Sequence, residues 1–206
     1  MLPIANDKTG GCVMKICVLQ GSPRKNGNTA AIVAPFTEEL RAAGHDVEIV
    51  WLYDKEIQPC LACRACQKDW TVFGCAREDD VQEIFDKILE ADLIVFATPI
   101  YCWYCTAPMK ALMDRLVYGM NKYYGDEKGP ALWAGKAVAS ITTCGYRPEK
   151  GADLWEDGLK RYCKHSGLTY VGQLAERHLG YRTEFMDAEK EARAKMFARE
   201  VMGRFS

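Results

Sequence analysis

The run Gln20-Gly21-Ser22-Pro23-Arg24-Lys25-Asn26-Gly27-Asn28-Thr29 carries the densest set of groups able to hold an anion. It follows the apolar run Ile16-Cys17-Val18-Leu19 and opens a segment with helical spacing from Thr29 onward. A buried strand that ends in a Gly/Ser/Asn-rich turn at a helix start makes a phosphate cradle. The first N–H groups of the helix have no partner within it, and the macrodipole favours negative charge there. Ser22, Asn28 and Thr29 add side-chain donors, and Arg24 adds a charge that cannot be neutralised. The pattern is neither G-x-x-x-x-G-K-[ST] nor G-x-G-x-x-G. A nucleoside triphosphate or a Rossmann dinucleotide is therefore not the first expectation. The same Ser, Asn and Thr are also good N-caps, so a capped turn without a ligand is the plain alternative.

A second set of reactive groups is the cysteines, ten in all. Disulfides are disfavoured in a reducing compartment, so metal or redox chemistry is the better default for a chain without an export signal. Cys60, Cys63, Cys66 and Cys75 give C-x2-C-x2-C-x8-C. Three thiols at two-residue gaps suit a compact soft-metal centre such as a [4Fe–4S] cluster, and a fourth completes the ligand set. Zinc is less natural, because its sites usually come as two separated pairs and no His lies nearby. A redox-active disulfide and free thiols are the alternatives for this loop. Cys17 and Cys163 read as small buried hydrophobes, and Cys12 lies in the leader.

These groups need elements to position them, and the chain alternates apolar strands with helical patterns. Expected strands are Ile16 to Gln20, Val47 to Leu52, Leu93 to Ala97, Ala137 to Thr142 and Leu168 to Leu174. Expected helices run from Thr29 to Ala43, from the Asp79-Asp80 start, from near Pro108, from Gly151 to His165 and from Asp187 to Arg204. Leu93-Ile94-Val95-Phe96-Ala97 is continuously apolar, as a central strand buried on both faces must be. Repeated β-α units imply an α/β fold with a parallel sheet, helices on both faces and right-handed crossovers.

Ligands in such folds bind beyond the carboxyl ends of the strands. The loops there are Gly21–Asn28, Thr98–Thr106 and Thr143–Pro148. The second, Thr98-Pro99-Ile100-Tyr101-Cys102-Trp103-Tyr104-Cys105, joins a proline turn to three aromatics. The third contains Thr143-Cys144-Gly145-Tyr146. Aromatic walls beside an anion cradle suit a planar aromatic ligand carrying a phosphate, and flavin mononucleotide (FMN) fits that description. Ordinary core packing of the aromatics is the competing reading.

Composition sets the limits. The 206 residues allow one well-buried core, and the formal net charge of −1 gives no broad field for nucleic acid or anionic lipid. No apolar run approaches a bilayer span. Met1 to Gly11 lacks a basic-then-apolar signal layout, so the expected location is cytoplasmic. The expected organisation is a flexible leader over 1–13 and a single domain over 14–206 with a Cys-rich insertion at 57–77.

The chain resembles the flavodoxin-like NAD(P)H-dependent FMN reductase family, and within it the iron–sulfur flavoproteins. The first loop resembles that family's phosphate loop. Ala91-Asp92, the apolar strand and Thr98-Pro99-Ile100-Tyr101 resemble its second flavin loop, with Met109-Lys110 and Asp114-Arg115 in the following helix. The resemblance implies a doubly wound five-stranded parallel sheet of order 2-1-3-4-5. It implies that Ser22, Arg24, Asn26, Gly27, Asn28 and Thr29 hold the phosphate. Pro99, Ile100, Tyr101, Cys102 and Trp103 would line the ribityl chain and ring, with Thr143, Cys144 and Gly145 bordering the ring. The run Cys60, Cys63, Cys66 and Cys75 carries the likeness to the iron–sulfur subgroup, with a last gap longer than that subgroup's.

The expected chemistry is hydride transfer from NAD(P)H to FMN. Electrons then pass to a quinone, a nitro- or azo-aromatic compound or a metal ion, or through a cluster to a redox protein. No residue is singled out as a catalytic acid or base, and His45, His165 and His178 read as helix-terminal or surface residues. The aromatic loop Tyr118 to Trp133 is expected to be an exposed patch supporting a homodimer or homotetramer. Two other classes remain open. One is a flavodoxin-like electron carrier without its own substrate, against which the near-neutral charge weighs. The other is a metal- or thiol-binding regulatory protein.

Overall fold

The computed structural model describes residues 13–180 and 182–205, so the expected leader lies outside the described residues except for Val13, as does Cys12. The elements in order are β1 (Lys15–Gln20), α1 (Asn28–Ala42), β2 (Asp46–Trp51), α2 (Val81–Glu90), β3 (Leu93–Pro99) and α3 (Ala107–Met120). There follow β4 (Ala137–Cys144), a short α4 (Pro148–Gly151), α5 (Asp153–Ser166), β5 (Thr169–Arg177) and α6 (Ala188–Met202). All sheet pairings are parallel and the strand order is β2-β1-β3-β4-β5. This is the flavodoxin-like order expected from the sequence.

Alternation along the strands divides the core in two. Ile16, Val18, Val95, Ala97, Ala139 and Ile141 face α1 and α6. Cys17, Leu19, Ile94, Phe96 and Val138 face α2, α3 and α5. Strand β3 is central and buried on both faces, which is why its sequence is apolar without alternation. Helix α2 shows the complementary pattern. Val81, Ile84, Phe85 and Ile88 form one buried stripe, each side chain contributing roughly 1.5–3 kcal/mol by its burial.

Two expectations require correction. Strand β5 does not stop at Leu174 but continues to Arg177, because Glu176 is 5% exposed and forms a 2.6 Å ion pair with Arg193 of α6. A charged residue in the sequence looked like the end of the strand, but its partner keeps it buried within one. The loop Tyr118 to Trp133 is not an exposed aromatic patch either. Met120 and Trp133 are fully buried, and the Trp133 indole N–H donates to Asn121 Oδ1 at 2.9 Å. Tyr118, Tyr123 and Tyr124 are half-buried; Tyr124 packs against both other tyrosines, and Tyr123 and Tyr124 against His165. These aromatics pack within the chain, so they give no argument for an oligomer.

Candidate cofactor site at the carboxyl edge of the sheet

The first loop leaves β1 at Gly21, whose N–H donates to the Ala97 carbonyl at 2.7 Å. Thr106 Oγ1 donates to the Gly21 carbonyl at 2.8 Å. A Cβ at this position would lie 3.0 Å from Thr106 Oγ1 and 3.1 Å from Met109, so only glycine lets the loop run this close to the start of α3. Ser22 is buried and closes a local turn, its Oγ accepting from the Arg24 N–H at 3.2 Å. Lys25 is drawn away by Asp54 at 2.6 Å, and its ammonium lies over the Trp51 ring. Gly27 is the N-cap of α1 and supplies no capping side chain. The alternative of a turn capped by Ser, Asn or Thr is therefore not realised, and the first-turn N–H groups keep their donor capacity.

The three loops converge. Thr29 Oγ1 of α1 and Thr143 Oγ1 of β4 are hydrogen-bonded at 2.8 Å. Around them lies a cleft of ≈ 180 Å³ lined by Ser22, Arg24, Asn28 and Thr29, by Pro99, Ile100 and Tyr101, and by Thr143. His178, Gly180 and Thr183 close its far side. A second cavity of ≈ 290 Å³ adjoins it, walled by Tyr101, Cys102, Trp103, Cys144, Gly145 and Tyr146. Twelve of the fourteen expected loop residues thus line one cavity or the other. Asn26 and Gly27 line neither; Asn26 is exposed and Gly27 acts as the helix cap. A wider groove of ≈ 790 Å³ follows the outer edge of β5, but its Glu176–Arg193 pair is closed on itself.

The aromatic wall is held by an unusual turn. Tyr101 and Tyr104 exchange backbone hydrogen bonds of 2.8 and 3.0 Å, leaving Cys102 (φ 50°) and Trp103 (φ 62°) as the two central residues. That is the pattern of a type I′ hairpin, in which Asn-Gly is usual because both positions are left-handed. Trp103 is held there by stacking on Tyr146, with centroids 5.8 Å apart and planes 11° from parallel. Its indole N–H donates to the Lys150 carbonyl at 3.0 Å. The stack ties the second loop to the third.

Electrostatics separates the thiols. Cys144 is buried, its Sγ 3.3 Å from the Tyr146 carbonyl, and burial pushes its thiol up to about 11. It is a neutral wall at ordinary pH. Burial likewise pushes Cys17, Cys105 and Cys163 up to about 12, as suits the small hydrophobes expected of Cys17 and Cys163.

The family of NADPH-dependent FMN reductases matches residues 14–175. The chain belongs to that family. It is 39% identical over 102 residues to an iron-sulfur flavoprotein of Archaeoglobus fulgidus, covering 50% of this chain and 48% of that protein. It is 36% identical over 125 residues to an iron-sulfur flavoprotein of Methanosarcina thermophila, covering 59% of this chain and 63% of that one. The chain thus spans less than two thirds of either relative. Among solved structures, an NAD(P)H:quinone oxidoreductase from Methanothermobacter marburgensis shares the fold with a TM-score of 0.69 at 20% identity. The match covers 92% of this chain and 94% of that one. No helix among the described residues is long and apolar enough to cross a membrane.

The residues of this FMN reductase family member fit the cofactor the family name implies. An uncapped helix start, buried hydroxyls and one arginine meet at one cavity, and aromatic walls enclose the next. Gln20, one residue before the cradle, is fully buried with neither polar side-chain atom partnered among the described residues. Unsatisfied buried polar groups are rare in native structures.

The Cys loop is different. Cys66 is buried, Cys60 and Cys75 are half-buried and Cys63 is exposed. Among the described residues no three His, Cys, Asp or Glu side chains are grouped as a metal would require. As folded, the loop does not fit a [4Fe–4S] cluster. It is anchored instead by cations from α3 and beyond. Arg115 forms a bidentate pair with Asp79, 2.7 and 3.0 Å, and donates to the Gln58 carbonyl at 3.0 Å. Lys122, 1% exposed, donates to the Cys66 carbonyl at 2.6 Å and also to the carbonyls of Val72 and Phe73. The Phe73 ring fills the notch at Gly119, where a Cβ would sit 1.9 Å from it. Cys66 Sγ lies 3.5 Å from the Tyr118 carbonyl. At 1.5 Å per residue, that point is on the order of 16 Å along α3 from its start at Ala107. Cys66 is therefore held at the far end of α3, and none of the four thiols lines either cavity.

Sequence reading missed His178. It lies one residue past β5 and lines both cavities. The available signal was the length of β5: Cys144 pairs with Arg177, so the next residue must reach the same edge as the third loop.

Proposed function

We propose that the protein is an FMN-dependent NAD(P)H oxidoreductase that passes electrons to a small acceptor such as a quinone, a nitro- or azo-aromatic compound or a metal ion. The observation that carries this reading is the junction of an anion cleft and an aromatic-walled pocket on one sheet edge. FMN bound there supplies hydride acceptance and onward electron transfer. Ser22, Thr29 and the first-turn N–H groups of α1 hold the phosphate, and Arg24 supplies its counter-charge. Gly145 permits close approach from the third loop. Tyr101, Trp103 and Tyr146 exclude water and orient a planar donor or acceptor. FMN is favoured over FAD because the cleft offers one phosphate cradle.

The experiment is flavin extraction from the purified protein, then titration of the Arg24→Ala/Asn28→Ala variant with FMN. Each charge-assisted bond is worth roughly 1.5–3 kcal/mol, so the variant should bind at least tenfold more weakly. Unchanged affinity would exclude this loop as the phosphate site.

A cluster at Cys60, Cys63, Cys66 and Cys75 is supported by the thiol spacing and by the names of two relatives. The loop as folded opposes it, since no three of its possible ligands are grouped among the described residues. Iron and acid-labile sulfide in anaerobically purified protein separate the two, with no iron expected if the loop keeps this fold.

A further inference from the structure

We propose that the open edge of β5 is a docking site for an extended polypeptide segment of alternating apolar and basic residues, which joins the sheet as a sixth strand. The inference stands apart from the flavin reading, because the groove along this edge shares no lining residue with either cofactor cavity.

Strand β5 closes one side of the sheet and pairs only with β4. In its first half the pairing slips at a bulge opposite Val138 and Ala139. Bulges of this kind blunt an edge against further pairing. From Gly172 to Arg177 the register is regular, and the run contains neither Pro nor Lys. Alternate residues there turn their N–H and C=O outward. Among the described residues no other backbone takes up those groups between Gln173 and Arg177. That run is about 16 Å long as an extended strand, and the ≈ 790 Å³ groove follows all of it.

Helices wall the groove on both sides, with Asp153 of α5 facing Lys190 and Arg193 of α6 across it. Gln173 pairs with Ser140, whose hydroxyl receives the Trp155 indole N–H from α5. Gln173 therefore lies on the α5 face of β5, and Leu174 and Glu176 lie on the α6 face, where Leu174 packs against the core.

The chemistry of the occupant follows from which groups are already taken. Every Lys or Arg lining the groove is engaged within the chain. Arg193 holds Glu176 at 2.6 and 3.1 Å, Lys190 holds Asp187, and Arg177 donates to the Gly145 carbonyl at 3.0 Å. On the α5 face Glu156 is taken by Lys160 and by the Tyr170 hydroxyl, each at 2.9 Å. What stays open are acceptors. Asp153 Oδ1 and Gln173 Oε1 are both buried without a partner among the described residues. A buried acceptor without a donor is costly. A lysine or arginine side chain brings several donors and the charge opposite to that of Asp153. On the other face Leu174 offers an apolar contact. A strand sends successive side chains to opposite faces, so the matching segment alternates basic and apolar residues. Strand addition of this kind takes affinity from main-chain bonds and specificity from the alternate side chains.

The test uses the full chain with fluorescein-labelled Val-Lys-Val-Lys-Val and Val-Glu-Val-Glu-Val, read by fluorescence anisotropy. The lysine probe should bind at least about tenfold more tightly than the glutamate probe. Asp153→Ala/Gln173→Ala, with circular dichroism to confirm folding, should lose at least about tenfold of the affinity for the lysine probe. Backbone N-methylation separates strand pairing from charge alone. Methylating either the lysine or the valine nitrogens should abolish binding, and methylating the other set should leave it within about threefold. Equal binding of the two probes, or of the two methylated forms, overturns the proposal. So does a lysine probe that fails to bind at about 1 mM. A wild-type chain that sediments as a dimer, and as a monomer in the double variant, would place a second copy on this edge and overturn it too. Should the double variant fail to fold, Asp153→Asn is read by the same criterion.

Discussion

Thr29 and Thr143 meet hydroxyl to hydroxyl at 2.8 Å, although 114 residues separate them in the chain. Both are buried, at 1% and 4% exposure. The contact joins the first turn of α1 to the end of β4, so the first and third loops are held at one spacing. Thr143→Val leaves the Thr29 hydroxyl buried without its partner and should cost about 1–3 kcal/mol. Thr29→Val/Thr143→Val removes both polar groups and should recover most of that loss. Urea melts of the two singles and the double give the coupling energy. Additive losses would show that the two hydroxyls do not depend on each other.

The strands and helices were legible because each rests on local pattern, whereas the strand order and the twelve cavity-lining residues followed from the family resemblance. Apolar runs gave β1 and β3, the 3.6-residue stripe gave α2, and Gly, Ser and Asn at a strand end gave the first loop. What escaped depends on pairing across the chain. Glu176 looks like a loop residue until Arg193, 17 positions on, accounts for its burial. Trp133 looks exposed in a polar stretch until Asn121 receives its N–H. Asp79 looks like a helix-start acid; it does accept from the Val81 N–H at 3.2 Å, but its main partner is Arg115, 36 residues away. The cysteine spacing was read as a ligand pattern, whereas burial and the contacts of Lys122 decide where those thiols lie.

The Arg115–Asp79 pair fixes the start of α2 and the Cys loop to α3, with both side chains essentially inaccessible. Removing one member of a buried pair costs about 3–5 kcal/mol because it strands the other charge. Arg115→Met should show that loss at pH 7, together with faster proteolysis between residues 57 and 77.

The same pair sets a pH dependence. Burial alone would raise the Asp79 carboxyl, but the Arg115 guanidinium and the N–H groups of Gln58 and Val81 outweigh it and hold the group below its ordinary range. Its contribution is fully present above the unfolded-state value of ~3.9. It is lost as pH falls through the lowered folded value. Wild-type stability should therefore fall more steeply below about pH 4 than that of Asp79→Asn, which has no such carboxylate to protonate. Parallel acid titrations of unfolding free energy would sink this account.

At Trp103 the usual ranking of Gly and Ala should invert. Removing the indole forfeits the Tyr146 stack and the bond to the Lys150 carbonyl, about 0.5–1.5 kcal/mol each. Trp103→Ala loses both and keeps a Cβ at φ 62°. Trp103→Gly loses both but relieves left-handed strain of roughly 1–2 kcal/mol. The glycine variant should therefore be the more stable of the two by about that amount, and thermal melts give the comparison. An alanine variant equal to or more stable than the glycine variant would mean that residue 103 is not left-handed.

Thiol labelling tests the two cysteine sites together. Cys63 and Cys102 are exposed, whereas Cys17, Cys105, Cys144 and Cys163 are buried. Burial pushes Cys144 up to about 11 and the other three of that buried set up to about 12, so at pH 8 almost none of their thiolate is present. Because the thiolate is the reacting species, iodoacetamide should modify Cys63 and Cys102 first and leave those four intact in native protein. FMN then discriminates between the sites. Cys102 lines the aromatic pocket, while Cys63 lines neither cavity. Saturating FMN should slow labelling of Cys102 and leave Cys63 unchanged, as peptide mass mapping with and without the cofactor would record. Equal protection of both would place Cys63 against the flavin, contrary to its absence from both cavity linings. Protection of neither would remove Cys102 from the ring pocket.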